Sequence, residues 1–198
     1  MSDRLEKNLG DAVRVAKSLF ERGKTAGSSA NLSFRVDDKI WISGTGTCFG
    51  TLQKDSFSVI DLNGNHLEGI KPSKEFPLHL SLYQKDPSVG AVLHTHSFYA
   101  TLWSCYTAGK SPSFPHYTPY LRMKLGDIGF VPYAPPGSQE LFAAFSRNLD
   151  DRRGYLLQNH GPIVASSDLL SAFYALEELE ESAHLAWELR NENCPQIG

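Results

Sequence analysis

VGAVLHTHSFYAT, residues 89–101, is an apolar run that ends in a pair of histidines. A valine, alanine and leucine run this short predicts a buried strand. Side chains alternate across a strand, so His94 and His96 point the same way. Two imidazoles on one face, where a buried strand runs out, are placed to hold a metal. Alone, the pattern fits two satisfied polar residues as well. Weight comes from two other stretches: PSKE, residues 72–75, which brings Glu75, and QNHGP, residues 158–162, which brings His160.

Working outward, Leu5, Leu9, Val13, Ala16, Leu19 and Phe20 recur at threes and fours, which predicts a first helix stopped by Gly23. A small-residue loop, TAGSSAN, leads into a strand with Leu32, Phe34 and Val36 on one face. Asp37-Asp38 connects it tightly to KIWIS, and a Gly/Thr loop, SGTGTCFG, follows. FSVID and a partner beyond Asn63-Gly64 read as another hairpin. In PSKEFPLHLSLYQ, Pro77 must lie in the first turn, so a helix starts near Ser73–Glu75. After the histidine strand come a short apolar helix through Trp103, a strand over residues 128–133, a helix over 138–149, two short strands flanking His160, and a last helix from Asp168 to about Arg190. Tight turns between several strands predict an α/β fold with three layers, α/β/α, around a mixed, largely antiparallel sheet. The 198 residues suit one domain, and no repeat or linker divides them.

A net charge of -3 argues against nucleic-acid or membrane-surface binding. No stretch reaches the roughly 20 apolar residues of a membrane span, and the N-terminus lacks a signal-peptide core. Cys48, Cys105 and Cys194 are odd in number and far apart, which reads as reduced thiols in a cytoplasmic protein.

Three histidines without a cysteine suit zinc or another first-row divalent ion, and three protein ligands leave coordination positions open, as in a catalytic site. Glu75, at a helix start, is either a simple helix-end stabiliser or a metal-linked carboxylate able to move protons. Ser28, Ser29 and Asn31, then Thr45 and Gly46, then Ser73 and Lys74 with the N–H groups of the helix start, read either as ordinary turns or as anion cradles. The stretch YTPYLRMK carries Tyr117, Tyr120, Arg122 and Lys124, a surface cluster or a substrate contact, with Tyr120 the candidate for a second catalytic side chain. His79, four residues after Glu75, either shares its helix face or is a packing or surface residue. Glu177, Glu178, Glu180 and Glu181 read as a solvated helix face, and His66, His116 and His184 as loop or surface residues.

Taken in order, PSKE, HTH and NHGP resemble the class II aldolase and adducin-domain family, along nearly the whole chain. The resemblance implies that His94, His96, His160 and Glu75 bind a divalent metal, most simply zinc with manganese as the alternative, and that Glu75 also moves protons. It implies a phosphate site at Ser29, Asn31, Thr45, Gly46, Ser73 and Lys74, and a homotetramer with sites near subunit contacts. Ala30 and Lys74 stand where the sugar-phosphate aldolases commonly have glycine and serine. PSKE, TPYLRM, VPYAPPG, LLQNHGP and LEELEES are more similar to the 3-oxo-tetronate 4-phosphate decarboxylase branch. That implies a phosphorylated sugar acid as substrate, losing CO2 through an enediolate to give dihydroxyacetone phosphate. The alternatives are a fuculose- or ribulose-phosphate type aldolase, an epimerase, or a non-enzymatic adducin-like module.

Overall fold

The structure is a computed structural model and describes residues 3–108 and 113–197. Helix α1 (Asp3–Glu21) forms as its periodicity requires, with Leu9, Ala12, Val15, Ala16 and Leu19 buried, and ends where Gly23 takes a φ of 68°. Strand β1 (Asn31–Val36) turns through Asp37 into β2 (Lys39–Ser43), with Val36 opposite Lys39. Strand β3 (Phe57–Asp61) returns to β4 (His66–Gly69) through the Asn63-Gly64 turn, where the Asp61 carboxylate accepts the backbone N–H groups of Asn63 and Asn65. Next come α2 (Phe76–Lys85), β5 (Ala91–His94), α3 (Phe98–Tyr106), α4 (Tyr120–Leu125), β6 (Gly129–Val131), α5 (Gln139–Asn148), β7 (Gly154–Leu157), β8 (Gly161–Ser166) and α6 (Leu169–Glu188).

The strands hydrogen-bond in the order β4-β3-β2-β1-β5-β8-β7-β6. Neighbouring β1, β2, β3 and β4 pair antiparallel, as do β1 with β5 and β7 with β8, while β6 runs parallel to β7. The α/β reading with a mixed, largely antiparallel sheet is therefore correct. No helix among the described residues is long and apolar enough to cross a membrane.

The chain divides into two compact units. One holds the residues up to Thr95 together with Ala165–Phe173. Its sheet is faced by Phe34, whose ring stacks parallel to Trp41 and tilts against Phe57 at 5.7 Å. The other holds His96–Val164 and the residues from Tyr174 on. There Phe145 meets Tyr155 edge-on at 5.4 Å, and the Tyr155 hydroxyl ties down the loop at Asp150 and Arg152.

Two local expectations change. Helix α4 lies within the polar cluster of YTPYLRMK; its six residues are too short for periodicity, and the signals were Pro119 before it and Gly126 after it, at φ 68°. The strand expected over 128–133 shrinks to three residues because β6 is an edge strand.

Two glycines report on this packing in opposite directions. A Cβ on Gly90 would lie 2.0 Å from the Ser167 carbonyl oxygen, so Gly90→Ala should cost about 1–3 kcal/mol and lower Tm by several degrees. Gly10, inside α1, has nothing within 4 Å of its would-be Cβ, and Gly10→Ala should raise stability by about 0.5–1 kcal/mol. Thermal denaturation of both variants checks the contrast.

Candidate metal centre

Each of the expected polar side chains arrives by its own local device. Glu75 is the N-cap of α2, where Pro77 in the first turn fixes the chain's entry. His94 is the last residue of β5 and pairs in register with Asn31 of β1. His96 lies just beyond the strand, before α3. His160 sits in the β7–β8 turn, where Asn159 takes a φ of 55° and Gly161 a φ of 154°, a conformation that favours glycine; its backbone N–H closes the turn on Leu157.

These devices bring the histidines together. Their candidate ligand nitrogens all lie within 4.8 Å of one another, and among the described residues this is the one such trio. The His96 and His160 rings meet edge to face with centroids 4.7 Å apart. Glu75 Oε2 is 3.4 Å from His94 Nε2, with both side chains buried. Three imidazoles and one carboxylate, with no thiolate, are nitrogen and oxygen donors that fit a first-row divalent ion.

Helix α3, which follows His96, is anchored from an unexpected place. Its first N–H groups, on Tyr99 and Ala100, donate to the two carboxylate oxygens of Glu180 at 3.0 and 2.9 Å. Glu180 is 2% exposed, so its assignment to a solvated face is wrong. The helix N-terminus, with its partial positive charge, makes that burial tolerable.

The residues expected to bind phosphate are laced together by backbone. Ser73 N–H donates to Ser43 O, Thr45 N–H donates to Lys71 O, and Gly44 bridges Pro72. Thr45, Gly46 and Lys74 are exposed, and Gly46 has a φ of 76°. Ser29 is closer to a turn-former, its hydroxyl donating to Ala26 O. The helix start offers less than expected: Phe76 and Leu78 N–H groups are used by Ser73 O and Glu75 O, Pro77 has none, and Glu75 N–H donates to Ser73 Oγ. The Ser73 hydroxyl proton and Lys74 are the groups left for an anion.

Asn31 is engaged behind the centre. Its Nδ2 donates to Glu75 Oε2 at 3.1 Å, and its Oδ1 accepts from His79 Nε2 at 2.6 Å. His79 is fully buried, and desolvation, with help from nearby His94, pushes its pKa down to about 3. It is thus a buried residue and not a surface one, with both ring nitrogens in hydrogen-bond contact. The available signal was Glu75 and His79 at i, i+4 on one helix, facing Asn31 and Ser33 at i, i+2 on one strand.

Tyr120 opens α4 and is 59% exposed. Lys124 lies 6.0 Å from the Tyr174 ring. His66 bonds Glu68 O, His116 pairs with Asp127, and His184 stacks on Tyr99 and pairs with Glu188, all outside the trio.

A family described as the class II aldolase and adducin N-terminal domain matches residues 11–187, and the chain belongs to it. A 3-oxo-tetronate 4-phosphate decarboxylase from Haemophilus influenzae is 39% identical over 97% of this chain and 91% of its own length. An L-fuculose phosphate aldolase from Methanococcus maripaludis is 35% identical over 93% of this chain and 98% of its own. The crystal structure of the Klebsiella pneumoniae protein YgbL superposes with a TM-score of 0.93 at 36% identity, over 98% of this chain and 95% of that one.

Glu180→Ala should leave two α3 N–H groups without their acceptor and cost about 1–3 kcal/mol; Glu180→Gln, which keeps one acceptor oxygen, should cost less. Denaturation in the presence of a chelator separates this loss from any effect of metal.

Proposed function

We propose that the chain is a metal-dependent carbon–carbon lyase that decarboxylates a 3-oxo-tetronate 4-phosphate to dihydroxyacetone phosphate and CO2. The observation that carries this reading is the trio of His94, His96 and His160 with Glu75 against His94. An adducin-like module without chemistry has no need to bury such a set. The likeness to the Haemophilus influenzae enzyme selects the reaction.

In this reading His94, His96 and His160 would hold the ion, zinc by its donor set with manganese as the alternative, and Glu75 would serve both as a further ligand and as the carboxyl that moves protons. The ion would supply Lewis-acid stabilisation to negative charge developing on the substrate's ketone and neighbouring hydroxyl oxygens. The bond that breaks joins the carboxylate carbon to C2, and its electrons remain on C2 and the C3 oxygen. Glu75, protonated, then delivers a proton to C2. Its burial keeps bulk water from competing, and the Asn31 N–H steadies the carboxylate once the proton has left.

Ser73, Lys74, Thr45, Gly46, Ser29 and Asn31 form the phosphate end of the site. For Asn31 the contribution is the amide proton not given to Glu75. Lys74, exposed beside the buried Ser73 and Glu75, can reach either the phosphate or the departing carboxylate. Tyr120 is kept as a second catalytic candidate, reaching a site in an oligomer; the family expectation is a homotetramer. The two compact units act together as one domain, a reading supported by the single family match across both. A cytoplasmic location suits the three free cysteines.

The second reading is a sugar-phosphate aldolase, favoured by the likeness to the Methanococcus maripaludis enzyme. Both reactions leave electrons on the same carbon, so the same residues serve either. Presented with 3-oxo-tetronate 4-phosphates of both configurations, the protein should release CO2 from one. Aldehyde from ketose phosphates and no CO2 would establish the aldolase instead. Chelation should abolish turnover, and Glu75→Gln should lower kcat by about 100-fold or more. Lys74→Ser should raise KM for the keto acid; unchanged kinetics would remove Lys74 from the site.

A further inference from the structure

Behind the candidate centre, α2 and β1 share a buried row of polar side chains, of which His79, Ser33 and Tyr83 have no role in the proposed reaction. Glu75, His79 and Tyr83 follow at i, i+4 and i+8 along α2, and Asn31 and Ser33 alternate along β1. Tyr83, Ser33, His79 and Asn31 are exposed by 5% or less. Their contacts are continuous: Tyr83 Oη to Ser33 Oγ at 2.8 Å, Ser33 Oγ to His79 Nδ1 at 2.8 Å, His79 Nε2 to Asn31 Oδ1 at 2.6 Å, and Asn31 Nδ2 to Glu75 Oε2 at 3.1 Å. An apolar row of the same shape would serve stability as well, so a satisfied buried network points to a need for specific geometry.

The placement of the Asn31 amide sets the direction of the hydrogens in this row. Its nitrogen faces Glu75 Oε2 and its carbonyl oxygen faces His79 Nε2, so the amide donates to the carboxyl group and accepts from the ring. A carbonyl only accepts, so His79 must carry its proton on Nε2. The buried ring is neutral, so Nδ1 accepts and takes the Ser33 hydroxyl proton. The Tyr83 phenol then donates to Ser33.

We propose that His79, held in the Nε2–H tautomer by Ser33 and Tyr83, is a positioning residue that locks the Asn31 amide in the orientation presenting an N–H to Glu75. A flipped Asn31 would set its carbonyl against the carboxylate, acceptor against acceptor, and push Glu75 away from His94. The tautomer of one ring thereby fixes where the proton-carrying carboxyl sits. The inference rests on Glu75 being the proton donor of the reaction above.

The test has two arms. In the first, 15N-histidine NMR of the zinc-loaded full chain should show His79 neutral, with its proton on Nε2, from about pH 8 down to about pH 5. A proton on Nδ1, or titration near the ordinary histidine value, overturns the proposal. In the second, His79→Leu removes the donor at similar volume, while His79→Gln keeps an N–H near the Nε2 position. His79→Leu should lower kcat about 10–100-fold with KM changed less than about two-fold and metal content unaltered, and His79→Gln should recover most of kcat. Equal losses in the two variants, or a loss confined to KM, overturn it. If His79→Leu does not fold, the ring spectra and His79→Gln decide, and a folded Gln variant below about a tenth of the parent kcat contradicts the positioning role. The spectra need no turnover, so a parent protein that releases no CO2 refutes the reaction while the tautomer still judges His79.

Discussion

Glu75 and His94 lie 3.4 Å apart, 4% and 0% exposed, and neither can leave water without partners. An isolated buried carboxylate is costly enough that a protein either neutralises it or surrounds it with donors and positive charge. The local structure answers that demand. β1 runs antiparallel to β5 in a register that puts Asn31 opposite His94. α2 begins at Glu75, so the carboxylate hangs at a helix start. Asn31 supplies a donor, and His79, Ser33 and Tyr83 complete the polar line behind it. After the HTH segment in the chain, the buried Glu180 carboxylate finds its donors in the first N–H groups of α3. A divalent ion among the imidazoles would add positive charge close to the buried carboxylate.

The parts of this arrangement legible in the sequence were those written in local pattern. α1 announced itself by period, the hairpins by Asp37-Asp38 and Asn63-Gly64, and the start of α2 by Pro77. His94 and His96 were legible as a same-face pair at a strand end, while His160 and Glu75 joined them through the company and resemblance of the three motifs; the structure brings the three imidazoles together. What stayed hidden was long-range pairing. Nothing near Glu180 in the chain says that its carboxylate will meet N–H groups 80 and 81 residues away, and in a run of glutamates the charge pattern pointed outward. His79 and Asn31 are 48 residues apart, and each alone looked like something simpler. The helix start at Ser73–Glu75 was read as a set of free N–H groups; Pro77 and the bonds to Ser73 and Glu75 had already consumed them. Helix α4 was too short for its period to show.

The same buried set accommodates two reactions because both place a lone pair on the carbon next to the ketone. What must differ is the group that grips the part of the substrate that leaves: a carboxylate in one case, an aldehyde in the other. Lys74 stands where such a distinction could be drawn, exposed between Ser73 and Glu75. On the proposed reading the chemistry falls to residues at strand ends and a helix start, and specificity to exposed ones on loops, the usual division of labour between scaffold and loop.

The proposed chemistry requires three imidazoles, distant along the chain, to share one ion. Anomalous diffraction from crystals of the zinc-loaded protein, collected at the zinc edge, tests it most directly. One strong peak per chain, within about 2.0–2.1 Å of a ring nitrogen of each of His94, His96 and His160, is the expected result. A peak elsewhere, or one that leaves His160 out, would contradict the account.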